Sequence, residues 1–508
     1  MSAHAWEKDL RDYQLEAAQW LSEAGDDSGR YRGRILADGL GLGKTRQSLA
    51  AVRFRHERGI LDAPPIFVTS ASGRIDWVNE ARLFWPALKT TQPGGASATY
   101  KRKGETLEQL QHRTEGPWRE ALSSSDPLTA LVVNYENMRL VLDEVIARGT
   151  LLDTIVFDEA HNLKNSQSLY AKLARRFPAR ARLLLTATPI DNYVEQLFNL
   201  LDMCGPGLFG SYTSFVKRFF QVTPKAGFWG YEIGELLEAE KLNELKAPIY
   251  KRRTSGQVFK NMPARLRHMH LVDAPVGLRM SPAKLNVMLS DPKASGGKLD
   301  MMLRDCVQHK LKAAVDFLRF NIAGPCVLYT YKREDAEKLH ALVLEAGFTA
   351  VLATGDTPVK KRMQEIEAWK LGSCDHIVAT MDALRESATL VRAKSMLFLD
   401  LDWRFVKVLQ CEGRIDPARQ PEGQRMPVDY HYFLTRNGPD ELVAEALVWK
   451  VRESNKLLGD ASAASFGEFL GPLGAEEEVV AAMSDRDLLS AFVARATARH
   501  ERLMDLGL

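Results

Sequence analysis

Cysteine is scarce in this chain, and the few present are scattered. Cys204, Cys306, Cys326, Cys374 and Cys411 stand far apart in 508 residues and form no Cys-x-x-Cys pair. That pattern excludes a cysteine-built structural zinc and predicts reduced thiols in a cytosolic protein. The eleven histidines form no ligand-spaced cluster either. No apolar run approaches the roughly 18 residues of a membrane span, so no membrane partner is expected. The start, Met1-Ser2-Ala3-His4-Ala5-Trp6-Glu7, has no apolar core, so no signal peptide is expected. Net charge is only +3. Such a balance announces no polyanion partner, and nucleic-acid binding has to be argued from local sites. There is no short-period repeat and no low-complexity tract.

What is present is ordinary globular material, with 45% hydrophobic and 26% charged residues. A chain of 508 residues is too long for one core, so two or three domains are expected. Short apolar runs alternate with longer helical patterns, the grammar of a parallel α/β sheet. In the first half the expected strands are Arg34–Ala37, Pro65–Thr69, Ala130–Val133, Thr154–Phe157 and Arg182–Thr186. The pattern weakens after Gly205 and restarts with Cys326–Thr330, Ala350–Ala353, His376–Thr380, Ser395–Asp400 and Pro427–Leu434. Two α/β domains in tandem follow, residues 1–205 and 261–438. Residues 206–260 read as a helical insertion and linker, with a helical stretch at Glu235–Leu245. Residues 274–300 read as a protrusion and 439–508 as a helical C-terminal brace or tail.

Two motifs carry chemistry. The loop Ala37-Asp38-Gly39-Leu40-Gly41-Leu42-Gly43-Lys44-Thr45 leaves a strand and opens a helix. Gly41 and Gly43 let its backbone N–H groups cradle phosphates, Lys44 reaches the β/γ-phosphates and Thr45 is a Mg²⁺ ligand. It departs from the plain G-x-x-x-x-G-K-[ST] pattern at the first glycine, which here is Asp38. Further on, Ile155-Val156-Phe157-Asp158-Glu159 ends an apolar run in two acids. Asp158 is placed to hold Mg²⁺ and Glu159 to orient the attacking water. Together the two motifs point to a nucleotide-hydrolysing site with Lys44, Asp158 and Glu159 at its centre.

Four segments in order now resemble a known series: Leu10-Arg11-Asp12-Tyr13-Gln14, the loop at 37–45, Asp158-Glu159-Ala160-His161-Asn162-Leu163-Lys164-Asn165, and Thr186-Ala187-Thr188-Pro189-Ile190-Asp191-Asn192. They are similar to the successive motifs of the Swi/Snf-type ATPases of helicase superfamily two. The resemblance spans about residues 8–456. It implies two RecA-like domains, ATP in the cleft between them, and double-stranded DNA across both. It implies that Gln14 reads adenine, and that Thr186 and Thr188 couple hydrolysis to movement. Trp77 and Glu80 match a Trp-x-x-Glu motif, although an isolated Trp on an apolar helix is also ordinary packing. Asn134-Tyr135-Glu136 matches a further strand end.

The second half follows the family more loosely. Gln410-Cys411-Glu412-Gly413-Arg414-Ile415-Asp416 resembles the motif that presents arginine to the γ-phosphate, which makes Gln410 a nucleotide contact and Arg414 catalytic. The family's second arginine is replaced by Pro417, and Arg419 is the candidate substitute. At Ala379–Leu390 the glycines of a DNA-approaching motif are missing, leaving Ser387 and Thr389 as phosphate donors. Asp400-Leu401-Asp402-Trp403 sits where the family has an acidic strand end followed by Trp. Other DNA candidates are Thr69 and Ser70, Lys164 and Asn165, Lys332 and Arg333, and Thr354 with Lys360, Lys361 and Arg362. The basic strings Lys101-Arg102-Lys103 and Lys251-Arg252-Arg253 are short, and runs of that length are usually solvated faces.

The expectation is therefore a Mg²⁺- and ATP-dependent translocase on duplex DNA, acting as a monomer. A compact bacterial or bacteriophage-like, nucleoid-associated motor with a targeting or nuclease partner fits the absence of recognisable added modules. Two alternatives stand: a strand-separating or annealing helicase, and a catalytically weakened DNA-binding scaffold.

Overall fold

The computed structural model describes residues 5–25, 32–61, 63–71, 73–93, 116–124, 126, 128–190, 194–224, 231–259, 261–278, 292–384, 389–402, 404–436, 438–440, 443, 444, 447, 448, 451 and 469. Strands are numbered in chain order. The chain divides into two compact units, one formed by residues 1–215 and 240–258, the other by 216–239 and 259–508. Both are α/β.

The first unit is built on β1 (Gly33–Leu36), β2 (Ile66–Thr69), β3 (Lys89–Thr91), β4 (Thr129–Asn134), β5 (Leu152–Phe157), β6 (Ala179–Leu185) and β9 (Tyr250–Lys251). They pair in the order β3-β4-β2-β5-β6-β1-β9, and every pairing is parallel. Strands such as β4 and β5 are buried along their whole length. Helices cover both faces of a parallel sheet, so its strands read as unbroken apolar runs. The helix Lys44–Glu57 gives Leu49, Ala50, Ala51, Val52 and Phe54 to the core. Its Arg55 is buried against Asp153 and caps the carbonyls of Ser22 and Ala24, so the ion pair is fully hydrogen-bonded. Breaking such a pair on one side costs about 3–5 kcal/mol.

The second unit is built on β10 (Arg265–Asp273), β11 (Cys326–Thr330), β12 (Ala350–Ala353), β13 (His376–Thr380), β14 (Ser395–Phe398) and β15 (Val428–Arg436). Their order is β10-β15-β14-β11-β13-β12, again all parallel. The helix Pro292–Asn321 follows β10. Its Lys310 is fully buried and donates to Asp440 Oδ2 at 2.8 Å and to the Phe433 carbonyl at 3.0 Å. This unit also includes an antiparallel hairpin, β7 (Phe220–Pro224) with β8 (Tyr231–Leu236).

All ten expected strands are present, with small shifts at their ends. Three features of the linking region differ from expectation. Tyr231–Leu236 is a strand, and helix begins only at Ala239. The alternation Tyr231, Ile233 is a period-two signal that a helical reading overlooks. Lys251 is not part of a linker, because Tyr250–Lys251 closes the edge of the first sheet beside β1. Strand β10 is absent from the expected strands because cations and histidines interrupt its apolar pattern. An edge strand has one partner and tolerates that composition. Helix already runs from Pro292 through the end of the expected protrusion. Residues 279–291, Lys101–Lys103, Asp191, Asn192, Ser387, Trp403 and most of 439–508 lie outside the described residues.

Candidate active site

In the order β2-β5-β6-β1, the carboxyl ends of adjacent strands deliver Thr69, Asp158, Thr186 and the loop 37–45 to one edge of the first sheet. Ligands of parallel sheets collect at that edge.

The loop is rigid by construction. Gly41 has φ +78° and Gly43 φ +77°. That backbone favours glycine at Gly43, where a Cβ would lie 2.5 Å from Gln14 Nε2 and push the amide aside. The Leu42 carbonyl accepts from Gln14 Nε2 at 3.1 Å, Gln47 Nε2 at 2.9 Å and Tyr13 Oη at 3.2 Å. Gln14 is thereby fixed beside the loop, and its Oε1 accepts from the Arg11 amide at 3.1 Å. Lys44 opens the helix, with Thr45 half-exposed in its first turn. The Lys44 ammonium donates to the carbonyls of Asp38 at 2.9 Å and Gly39 at 3.2 Å.

Asp38, the residue in the place of a glycine, has a structural role. Its carboxylate is fully buried. Arg253 grips it with Nη2 at 2.6 Å and Nε at 3.1 Å, and the Arg253 amide adds a third bond at 3.0 Å. The same guanidinium donates to Gln47 Oε1 at 3.0 Å and to the Tyr13 carbonyl. Arg252 donates to the carbonyls of Ala37 at 2.6 Å and Ala187 at 3.0 Å. The string Lys251-Arg252-Arg253 is therefore a strap across the loop rather than a solvated face. Sequence reasoning missed it, although a buried acid ending an apolar strand demands a cation.

Asp158 is held from three sides. Trp77 Nε1 donates to its Oδ2 at 2.8 Å, Thr69 Oγ1 to the same oxygen at 3.1 Å, and the Glu159 amide to Oδ1 at 2.9 Å. Tyr135 Oη donates to its backbone carbonyl at 2.7 Å. Burial, and then the charge of Glu159, push its carboxyl up to about 6, while the Trp77 bond and the Lys44 charge pull the other way. Trp77 is thus both core and site residue: its ring packs tilted against Phe67 and its Nε1 orients the acid. Glu80, a turn further on, pairs with Arg46 beside Thr45. Thr69, a DNA candidate in the sequence, is buried, and its hydroxyl donates to Asp158.

Glu159 has φ +49° and ψ +48°, and it alone among the described non-glycine residues has positive φ. A left-handed glutamate stores strain that an active site accepts and a structural turn avoids. Its carboxylate lies 3.2 Å from His161 Nδ1. Lys164 and Asn165 follow on the surface, where Asn165 Oδ1 accepts from the Gln167 amide at 2.9 Å. Thr186 and Thr188 are buried, and the Thr188 amide donates to Thr186 Oγ1 at 3.0 Å.

In the second unit, Gln410 and Arg414 lie at the end of the buried helix Phe405–Glu412 and just beyond it. Two arginines of β10 clamp that segment. Arg267 grips Glu412 at 2.6 and 2.7 Å, and Arg265 grips Asp416 at 2.8 and 3.0 Å. Tyr432 Oη adds a bond to Glu412 at 2.6 Å. Asp416 also caps the turn Pro417–Arg419, with Pro417 at its first position. That turn carries Arg419 to Thr389, whose Oγ1 accepts from Arg419 Nη1 at 3.3 Å. Thr354 is buried near Thr357, and its carbonyl accepts from Arg362 at 3.1 Å.

The chain resembles known proteins. The SNF2-related domain matches residues 13–277, and the helicase conserved C-terminal domain matches 309–416. The chain is 29% identical over 471 residues to the ISWI chromatin-remodeling complex ATPase CHR17 of Arabidopsis thaliana, covering 86% of this chain and 41% of that protein. It is 24% identical over 490 residues to the human SWI/SNF-related matrix-associated actin-dependent regulator of chromatin subfamily A member 1, covering 87% and 43%. The chain thus spans less than half the length of these relatives. A solved SWI2/SNF2 ATPase core from Sulfolobus solfataricus in complex with dsDNA superposes with a TM-score of 0.40 at 17% identity, covering 91% of this chain and 94% of that one. With a match over more than half its length, the chain belongs to the SNF2-related family.

Proposed function

We propose that the protein is a DNA-dependent ATPase that moves along duplex DNA. The observation that carries this is the seating of Asp158, an acid tied to Trp77 and Thr69 and paired with a strained Glu159, on the same sheet edge as Lys44. The relatives named as chromatin-remodelling ATPases support the same reading.

Lys44 faces the β/γ-phosphates and Gln14 the base. The oxygen donors Thr45 and Asp158 suit a hard ion, and Mg²⁺ is the fit. When bound, Mg²⁺ neutralises charge developing on the phosphates. Glu159 orients the attacking water through its carboxylate, and Arg414 of the second unit stabilises the transferring phosphoryl group. Gln410 and Arg419 accompany Arg414 as nucleotide contacts. Duplex DNA is gripped through phosphates by Lys164, Asn165, Thr354 and Thr389, without a base code.

Displacement of a triplex-forming strand from duplex DNA tests the reading. ATP-dependent displacement without unwinding of a forked duplex is the expected result. Unwinding of the fork would favour the helicase alternative. Neither activity, with DNA binding intact, would favour a scaffold.

A further inference from the structure

Strand β10 presents alternate residues to the two faces of the second sheet. Arg265 and Arg267 serve the clamp on one face, and His268 and His270 face the other. There they meet alternate residues of β15. The parallel register sets His268 beside His431 and Leu266 beside Asp429. His268 Nε2 lies 2.8 Å from Asp429 Oδ1, and the His268 and His431 rings stack with centroids 4.8 Å apart. One ligand atom from each of His268, Asp429 and His431 lies within 4.8 Å of the others. His270 Nε2 is 3.1 Å from His431 Nδ1 and backs that ring. Phe317 packs against both His270 and His431. His-x-His and Asp-x-His are each spaced for one face of a strand. They are far apart in the chain, which is why no ligand cluster is visible in the sequence.

We propose that His268, Asp429 and His431 form a binding site for one divalent transition-metal ion of the zinc class, with His270 orienting His431. Two imidazoles and a carboxylate are borderline donors. They suit Zn²⁺, Co²⁺ or Ni²⁺ and not the oxygen-seeking Mg²⁺ of the nucleotide site. Metal–ligand bonds of about 2.0–2.2 Å require the three atoms to lie within roughly 4 Å of one another. The His268–Asp429 pair meets that already. A small rotation of these two half-exposed side chains brings the set to bonding distance of His431, which is buried. The fourth position would face solvent. A metal here ties the edge strand β10 to β15, and so holds the strand that carries the Arg265 and Arg267 clamps.

The test uses the full chain after chelator treatment. Co²⁺ is titrated and its visible d–d bands are followed, then Zn²⁺ is used to displace it. The expected result is uptake of one Co²⁺ per chain, displaced by Zn²⁺, with a rise in melting temperature. Saturable uptake should vanish in His268→Ala and in Asp429→Ala, both half-exposed positions. It should weaken about 10- to 100-fold in His270→Phe, as loss of an outer partner does. No stoichiometric uptake by the unaltered chain would overturn the proposal. So would uptake equal in the unaltered chain, His268→Ala and Asp429→Ala, or uptake lost on Cys374→Ser.

Discussion

The two units hold their site residues in different ways. In the first, most supports come from motifs that also carry chemistry. Trp77, Thr69 and Tyr135 hold Asp158, and Gln14 holds the phosphate loop. In the second, the segment with Gln410 and Arg414 is clamped by Arg265 and Arg267 from the edge strand β10, separated by 151 and 145 residues from the acids they grip. The first kind of site is legible because each residue belongs to a recognisable pattern. The second depends on partners that no local pattern announces. Asp38 and Arg253 are the exception that explains the rule: a pair 215 residues apart whose only trace in the sequence is an acid where a glycine is expected.

The largest effect should come from Lys44→Ala. Turnover should disappear with the fold retained, because the lost charge serves the phosphates from a loop at the sheet edge. Near-normal ATPase in a folded variant would break the first half of the comparison. Glu159→Gln should retain ATP binding and lose most hydrolysis, since an amide cannot polarise water as a carboxylate does. Parallel loss of binding and hydrolysis would remove that role from Glu159.

The clamps sharpen the contrast. Arg267→Ala strands the buried Glu412 and should cost about 3–5 kcal/mol of stability. Arg414→Ala should instead cut kcat by orders of magnitude. If the two variants had the same profile, support and chemistry would not be separable in this unit. In the first unit, Arg253→Ala strands the buried Asp38 and should destabilise by a similar amount. Adding Asp38→Gly should recover most of the loss, a coupling that a double-mutant cycle measures. Additive losses would mean that the strap acts elsewhere.

The smallest effect is on pH. With its carboxyl at about 6, above the ordinary 3.8, Asp158 favours the protonated form in the folded state. Its contribution to stability is complete below about pH 4 and is lost as pH rises through about 6. Metal binding needs the carboxylate, so activity should rise through the same window. Trp77→Phe removes a bond that lowers the value, and the acidic limb of the rate profile should move to higher pH. A limb that stays in place would make Trp77 a packing residue alone.

The ten principal strands were legible because buried parallel strands are continuous apolar runs. Strand β10 was not, because its alternate positions carry Arg265, Arg267, His268 and His270. Each of these answers to a partner on a distant strand or helix. Strand β9 was hidden in a basic string whose charges are consumed by Glu16, Asp38 and backbone carbonyls. The sequence does not announce the bond from Thr69 to Asp158, for a hydroxyl at a strand end suits either an acid or a phosphate. Arg419 lay open between solvent and a returning loop. The turn begun by Pro417 brings it to Thr389.

The proposed activity is tested most directly by ATP turnover measured in parallel without nucleic acid, with single-stranded DNA, with duplex DNA and with duplex RNA, over a salt series. The account predicts strong stimulation by duplex DNA above the other three. It also predicts a DNA affinity whose logarithm falls linearly with the logarithm of salt, as phosphate contacts release counterions. Turnover equal in all four conditions, or indifferent to salt, would contradict it.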